Sequence, residues 1–360
     1  MKTLHVFTVP VTRNGITMFA LERADALSRA GISMDFAAGN AVEPSLLREI
    51  EARGIRVHRL ASRRPGVGYV LELAKLIRKN RYDLVHAHGN SSSLFLEMLA
   101  AALGGCGLRV AHCHNTTSLR NRQHRRVLPL FLLSYTAAAA CGTDAGRWLF
   151  GRGKFTVLPN AVDAGRFRFD PEARKAVRPA LGLENALVLG HVGRFNAQKN
   201  HAFLLEIFEE VLKRRPDARL LLVGDGYLEE EIRGRAKPLG DRVVFAGSVP
   251  DPERFLAAMD VMALPSLYEG FPTVLLEWQA AGLPSLVGDA VTKEAALTDL
   301  VRFLPLREGA ASWAEALLAL DRPDRAKASA GAIESILSAG YGLDRAAETL
   351  LHFYAELSRR

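Results

Sequence analysis

Residues 187–223 read LVLGHVGRFNAQKNHAFLLEIFEEVLKRRPDARLLLV, and this stretch decides the fold. Leu187–Val192 is a short apolar run that ends on Gly193. A polar and basic loop follows. Ala202–Arg214 then spaces its apolar residues at helical period, and Arg219–Val223 is a second apolar run. A strand, a helix and a strand at this spacing need a crossover connection, which makes the two strands parallel. The runs are continuously apolar, as expected of strands covered on both faces.

Working outward, the same alternation recurs. Towards the C-terminus it predicts helix Leu228–Lys237, strand Val243–Ala246, helix Pro252–Ala258, strand Val261–Leu264, helix Thr273–Ala281 and strand Ser285–Val287, with helices to the end. Towards the N-terminus it predicts strands Leu4–Val9, Ser33–Ala38, Ile55–Leu60, Leu84–His88, Arg109–Cys113 and Ala137–Cys141. The helices between those strands are Gly15–Ala30, Pro44–Arg53, Gly68–Asn80, Ser92–Leu103 and Arg122–Leu133. Between Pro159 and Glu184 the pattern fails in a stretch rich in Pro, Arg, Asp and Gly, read as a linker. The expectation is an α/β chain with two parallel-sheet domains, 1–165 and 175–342, facing a cleft. The strand ends would open on that cleft.

Composition agrees. The chain has 360 residues, 49% hydrophobic and 24% charged, which suits two globular domains and excludes a disordered chain. Cys106, Cys113 and Cys141 form no CxxC pair, so a disulfide scaffold is excluded and a reducing, cytoplasmic setting is expected. The longest uncharged stretch, Val127–Thr143, is too short for a membrane span and contains Pro129 and Ser134. The N-terminus is read as a first strand rather than a signal peptide, because His5, Pro10 and Arg13 interrupt it. A net charge of +8 favours polyanionic partners: nucleic acid, anionic lipid or phosphorylated small molecules.

Three loops carry candidate chemistry. Ser266–Glu277 (SLYEGFPTVLLE) leads from a strand into a helix that opens with Pro272 and Thr273, so free amides and the positive end of the helix dipole would meet an anion. Glu269 precedes this helix, and Glu277 lies one turn inside it on the face of Thr273. A carboxylate there can accept two hydroxyl hydrogens, as a ribose diol presents. The plainer alternative is dipole capping by Glu269 and a solvated Glu277. Gly190–Asn200 (GHVGRFNAQKN) puts two cations, Arg194 and Lys199, on one loop beyond Gly193, a fork and a point charge suited to a diphosphate. Its alternative is an ordinary basic loop. Val9–Thr17 (VPVTRNGIT) turns around Gly15. The chain has no GxGxxG and no Walker Gly-Lys-Ser/Thr ending, which argues against a dinucleotide Rossmann domain and a P-loop.

His86, His88, His112 and His114 stand at strand ends in the first half. They suggest a metal at first sight, but no nearby carboxylate completes a usual ligand set. One or two are expected to hydrogen-bond substrate and the rest to pack. No Asp-x-Asp pair is present, so a metal-bridged diphosphate is not expected and no metal or other cofactor is assigned.

Glu269 and Glu277 in an E-x7-E arrangement, with Gly193-Arg194 and Lys199, resemble the retaining glycosyltransferases of family 4. HAHGN at 86–90, AHCHNT at 111–116 and GHVGRFNAQKNH at 190–201 are most similar to the branch that makes bacterial capsular polysaccharides and exopolysaccharides. The resemblance implies the GT-B fold, two Rossmann-like domains with the final helix, 343–360, packing back on the first. It implies transfer of a sugar from a nucleotide-diphosphate donor, by family habit a UDP-sugar, to an acceptor hydroxyl. It further implies that Arg194 and Lys199 hold the diphosphate beside Gly193, that Glu277 binds the ribose, and that Glu269 and Gly270 sit by the sugar. The amides of Phe271, Thr273 and Val274 would meet the distal phosphate. His114 would touch the sugar, and Gly15 would lie against the diphosphate. Asn14 stands where many relatives have a first glycine, and Pro159-Asn160-Ala161 where they have Pro-Asn-Gly.

Relatives often act on lipid-linked saccharides. Arg120–Arg126 (RNRQHRR) precedes apolar Val127–Leu133, which reads either as a basic amphipathic patch for anionic lipid at the inner membrane face or as a solvated helix start. Two other classes use the same features. A GT-B sugar-nucleotide 2-epimerase would carry different acidic residues. A nucleic-acid-binding protein would need an aromatic-and-basic strand motif, which is not found.

Overall fold

The computed structural model describes residues 1–62, 66–117 and 121–359. The chain forms two compact units. One consists of Met1–Ala161 and Leu343–Arg360, the other of Val162–Gly342. Each is a Rossmann-like parallel sheet between helices.

The first sheet has seven strands: β1 (Lys2–Phe7), β2 (Ser33–Ala38), β3 (Val57–Arg59), β4 (Leu84–Gly89), β5 (Leu108–Cys113), β6 (Ala137–Ala140) and β7 (Thr156–Val157). Their order is β3-β2-β1-β4-β5-β6-β7, all parallel. The strand order reverses direction between β1 and β4, the switch point at which loops diverge and leave room for a ligand. The last helix, Leu343–Ser358, supplies Leu350, Phe353, Tyr354 and Leu357 to the core of this unit.

The second sheet has six strands: β8 (Val188–Val192), β9 (Arg219–Val223), β10 (Val243–Gly247), β11 (Val261–Leu264), β12 (Ser285–Gly288) and β13 (Val301–Leu304). Their order is β10-β9-β8-β11-β12-β13, with the switch between β8 and β11. These are the strands that lead into the Arg194–Lys199 loop and the Glu269 loop.

The residue that ties their starts together is Asp260. Its carboxylate accepts from the Val188 N–H (2.8 Å), from Arg174 (2.6 Å) and from Arg178 (3.2 Å). Arg178 is buried and also donates to the Ala258 carbonyl at 2.9 Å.

The structure departs from the sequence reading at several points. Residues 159–184 are not an open linker. Pro171–Ala180 is a helix with Pro171 in its first turn, and the Asp170 side chain caps it by accepting from Glu172 N and Ala173 N. Asp-Pro-Glu is a helix start, and the surrounding arginines and prolines hid it. Residues 162–165, read as part of the first domain, belong to the second unit, where Val162 N–H donates to the Tyr341 carbonyl at 2.9 Å. The predicted helix Gly15–Ala30 is two helices, Gly15–Leu21 and Ala24–Arg29. Arg23 explains the break: its Nη1 takes the Phe19 carbonyl at 2.7 Å, the acceptor its own amide would use in a continuous helix. The sequence pattern also passed over helix Thr143–Phe150 and the edge strands β7 and β13.

Asp260→Ala leaves Arg178 buried without its carboxylate and frees the start of β8. The expected loss is about 3 kcal/mol, seen as a lower urea midpoint with unchanged m.

Candidate functional site

In the second unit the Arg194–Lys199 loop and the Glu269 loop are joined by four polar contacts. Leu267 N–H donates to the Gln198 carbonyl at 2.8 Å, and the Asn200 side-chain amide donates to the Pro265 carbonyl at 3.2 Å. Gln198 Nε2 donates to Glu269 Oε2 at 2.7 Å, and Lys199 Nζ meets Glu269 Oε1 at 2.8 Å. Both oxygens of this buried carboxylate are therefore engaged. The ion pair is well shielded, with side-chain exposures of 12% for Lys199 and 7% for Glu269. Asn196 shapes the loop by capping a single 3-10 turn, its side chain accepting from Lys199 N at 3.0 Å.

A third loop completes the arrangement, and the sequence reading missed it. Gly224-Asp225-Gly226 follows β9. Gly193 N–H donates to the Val223 carbonyl at 2.9 Å and Phe195 N–H to the Asp225 carbonyl at 2.7 Å. Gly224 and Gly226 have φ of +137° and +153°, and a Cβ on either would lie 2.2 Å from the Gly193 carbonyl oxygen or 2.4 Å from that of Phe195. No other residue fits there. Two glycines bracketing one residue at a strand end were the available signal. Gly193 faces the Lys199 stem, whose Cε would lie 3.4 Å from an added Cβ.

The helix Thr273–Ala280 begins directly after the Glu269 loop, with Pro272 at its N-cap and no side chain capping it. Its first amides, at Thr273 and Val274, point along the positive end of the dipole, as an anion site requires. Gly270 and Phe271 are buried in the approach, and Phe271 stacks on Tyr341 with centroids 5.0 Å apart. Glu277 is half-buried, one turn beyond Thr273, near enough to Arg166 to help raise that guanidinium's pKa after the larger effect of Glu253. Arg194 is exposed.

Beneath the loops, His191 Nδ1 donates to the Ala263 carbonyl at 2.8 Å and so ties β8 to β11. Burial pushes its pKa down to about 4. His201 stacks on Phe195 at 4.2 Å and is pushed down to about 2 for the same reason. Both are neutral struts at pH 7.

The structure places Gly15 and His114 in the first unit. Gly15 is exposed at the start of its helix, but Asn14 Oδ1 accepts from Ile16 N and Thr17 N at 3.0 Å each, so two amides that could meet an anion are already capped. His114 follows β5 and is buried among other histidines. Two triads there, His5/His86/His88 and His88/His112/His114, each bring one nitrogen per ring within 4.8 Å of the others. Among the described residues these two triads come nearest to a metal-ligand set.

Strand order and the two switch points define the fold as GT-B, two Rossmann-like domains. Comparison with known proteins agrees. The family described as Glycosyltransferase Family 4 matches residues 13–166, and that described as Glycosyl transferases group 1 matches residues 186–322. EpsF of Bacillus subtilis (strain 168), named as a glycosyltransferase, is 32% identical over 98% of this chain and 96% of its own length. The chain belongs to glycosyltransferase family 4. An Escherichia coli UDP-Gal:alpha-D-GlcNAc-diphosphoundecaprenol alpha-1,3-galactosyltransferase is 30% identical over 61% of each chain. The crystal structure of Anabaena Alr3699/HepE in complex with UDP superposes with a TM-score of 0.80 over 99% of this chain and 100% of that one, at 19% identity. The chain is thus an enzyme.

Lys199→Ala takes the cation from the buried Glu269 carboxylate and leaves it the Gln198 amide, which is expected to cost about 3 kcal/mol. The double variant K199A/E269Q should recover a large part of that loss, and a double-mutant cycle on urea midpoints measures the coupling.

Proposed function

We propose that the enzyme transfers a sugar, with retention of anomeric configuration, from a UDP-sugar to the hydroxyl of a lipid-linked saccharide in cell-surface polysaccharide synthesis. The observation that carries this reading is the tied pair of loops at the β8/β11 switch. They set Lys199 against Glu269 and lead straight into an uncapped helix start. The name of the Escherichia coli relative, with its UDP-sugar donor and undecaprenol-diphosphate acceptor, supports both substrate classes.

In this reading the diphosphate takes Arg194 and Lys199 from one loop and the amides of Phe271, Thr273 and Val274 from the other. Glu277 accepts the two ribose hydroxyls. Breaking the anomeric C–O bond leaves oxocarbenium character on the sugar and puts the bonding pair on the diphosphate. The cations and the helix start stabilise that charge more in the transition state than in the ground state. The acceptor oxygen attacks from the leaving-group face, and its proton passes to a diphosphate oxygen. Glu269 is assigned as an electrostatic neighbour of the sugar, its oxygens accepting from Gln198 and Lys199, and no covalent role is claimed for it. In the first domain the same reading gives His114 a sugar oxygen and Gly15 a phosphate. The cations supply the charge that a divalent metal would otherwise bring, so no metal is invoked.

Arg194→Ala and Lys199→Ala should each lower donor turnover by about 10²-fold, assayed with a panel of nucleotide sugars in the presence of EDTA. Normal turnover in both variants would remove the diphosphate assignment.

The acceptor side rests on the helix Asn121–Leu132. Arg120 lies outside the described residues. Arg122, Arg125 and Arg126 are exposed in the first turns, and Leu130, Leu132 and Leu133 are 56%, 40% and 86% exposed at the other end. His124 anchors the helix, accepting from Ser92 N at 3.1 Å and stacking on Trp148 at 4.7 Å. Among the described residues no helix is long and apolar enough to cross a membrane. A basic turn followed by exposed leucines suits peripheral attachment to anionic lipid. Neutralising the three arginines should weaken binding to phosphatidylglycerol vesicles by about 10²-fold at low salt. Binding indifferent to salt and to these changes would count against the lipid reading.

A further inference from the structure

Five histidines of the first unit share one face of its sheet. His5 on β1 pairs in register with His86 on β4, and His88 on β4 with His112 on β5. His114 lies two residues beyond His112, so its side chain returns to the same face. Phe19 and Tyr354 cover the cluster, Phe19 at 4.6 Å from His112 and Tyr354 at 5.9 Å from His86.

The rings are joined in a single unbranched chain. His114 Nε2 meets His88 Nδ1 at 3.0 Å, and His88 Nε2 meets His5 Nδ1 at 2.9 Å. His5 Nε2 meets the Tyr354 hydroxyl at 3.2 Å, and that hydroxyl meets His86 Nδ1 at 2.7 Å. His86 Nε2 then meets His112 Nδ1 at 3.0 Å. His112 Nε2, at the far end, is buried without a partner among the described residues. Exposure is 0% for His5, His86, His88 and His112, and 9% for His114, so the chain touches the surface at one end only.

Burial keeps every ring neutral at physiological pH. It pushes His5 and His114 down to about 3 and His86, His88 and His112 well below their usual value, and it raises Tyr354 so that the phenol keeps its proton. A neutral imidazole has one N–H and one lone pair. Each linked ring must therefore donate through one nitrogen and accept through the other, and the hydroxyl likewise. Two arrangements satisfy the whole chain, all donors running one way or all the other.

The buried end selects between them. One arrangement leaves His112 Nε2 as an orphan N–H, the other as a lone pair. Orphaned buried N–H groups are the rarer and more costly kind. Arg23 is buried nearby. Its guanidinium donates to the Phe19 and Pro159 carbonyls at 2.7 and 2.6 Å and lies 4.0 Å over the Phe19 ring that packs on His112. Its charge lowers the pKa of both His112 and His114 and so adds to the burial that keeps the rings neutral. With the orphan at His112 Nε2 a lone pair, the proton of His112 sits on Nδ1 and donates to His86. His86 donates through Nδ1 to Tyr354, Tyr354 to His5, His5 through Nδ1 to His88, and His88 through Nδ1 to His114 Nε2. The remaining nitrogen, His114 Nδ1, carries its N–H at the end with surface exposure.

We infer that His5, His86, His88, His112 and Tyr354 are positioning residues that lock His114 as the Nδ1–H tautomer, so that it offers a hydrogen-bond donor to a sugar oxygen. This rests on the reading that His114 meets the sugar.

The test is long-range ¹H–¹⁵N correlation spectroscopy of the full chain labelled with ¹⁵N-histidine, recorded without any nucleotide sugar. His114, assigned by its loss in H114N, should show the Nδ1–H pattern alone. An Nε2–H pattern, an imidazolium pattern, or joint displacement of His88, His112 and His114 by one equivalent of Zn²⁺ would overturn the inference. Tyr354→Phe removes only the bridging hydroxyl. It should leave His114 in mixed tautomers and lower kcat/KM roughly 3- to 10-fold, the scale of one hydrogen bond. An unchanged single tautomer in Y354F would overturn the coupling. Full turnover in H114N alongside an Nδ1–H spectrum of the unmodified protein would overturn only the assignment of His114 to the sugar.

Discussion

A lysine and a glutamate paired at 2.8 Å in a shielded position hold the second domain's loops in one arrangement. Neither charge is tolerable there alone, since a buried ion without its partner costs several kcal/mol. Each therefore dictates where the other's loop must run. The Gln198 side chain and the Leu267 and Asn200 contacts follow from that closeness. So does the position of the helix start at Thr273, which the Glu269 loop delivers only a few residues later.

The sheet makes this pairing possible. Parallel strands with a switch in order send the connections from β8 and β11 to opposite faces, and the loops must part at the strand ends. Asp260 then fixes the beginnings of both strands, through the Val188 amide on one and its own position before Val261 on the other. Gly224 and Gly226 let their loop approach the backbone of Gly193 and Phe195 directly. Charge is thus set within a frame whose rigidity comes from burial, and that frame is shared with many proteins of unrelated chemistry. What places this one in glycosyltransferase family 4 is its sequence, 32% identical to EpsF over 98% of the chain.

The first domain solves a different problem. Its sheet carries polar rings where an apolar core would be the default, and it satisfies them with one another and with Tyr354. Tyr354 lies on the last helix, so the end of the chain completes hydrogen bonds that begin at His5. A polar core of this kind holds only if nearly every member finds a partner.

Much was legible in the sequence because it was local. Alternation of apolar runs and helical periods gave most strands of both sheets, and Glu269, Glu277, Arg194 and Lys199 stood out by residue type and spacing. Other elements fell outside the pattern: the Asp170-capped helix, hidden among arginines and prolines, the helix break at Arg23, set by a side-chain bond to the carbonyl four residues back, and the short edge strands β7 and β13, which exist only through their neighbours in the sheet. The histidines were visible, but their linkage was not, since His5 and Tyr354 are 349 residues apart. By itself the sequence determined the fold class and the chemical inventory of the site, because periodicity and residue type are properties of neighbouring residues. Which carboxylate meets which cation, which glycines lie at backbone contact and which way the imidazoles point were decided only by the tertiary structure, because each depends on strands brought together from distant parts of the chain.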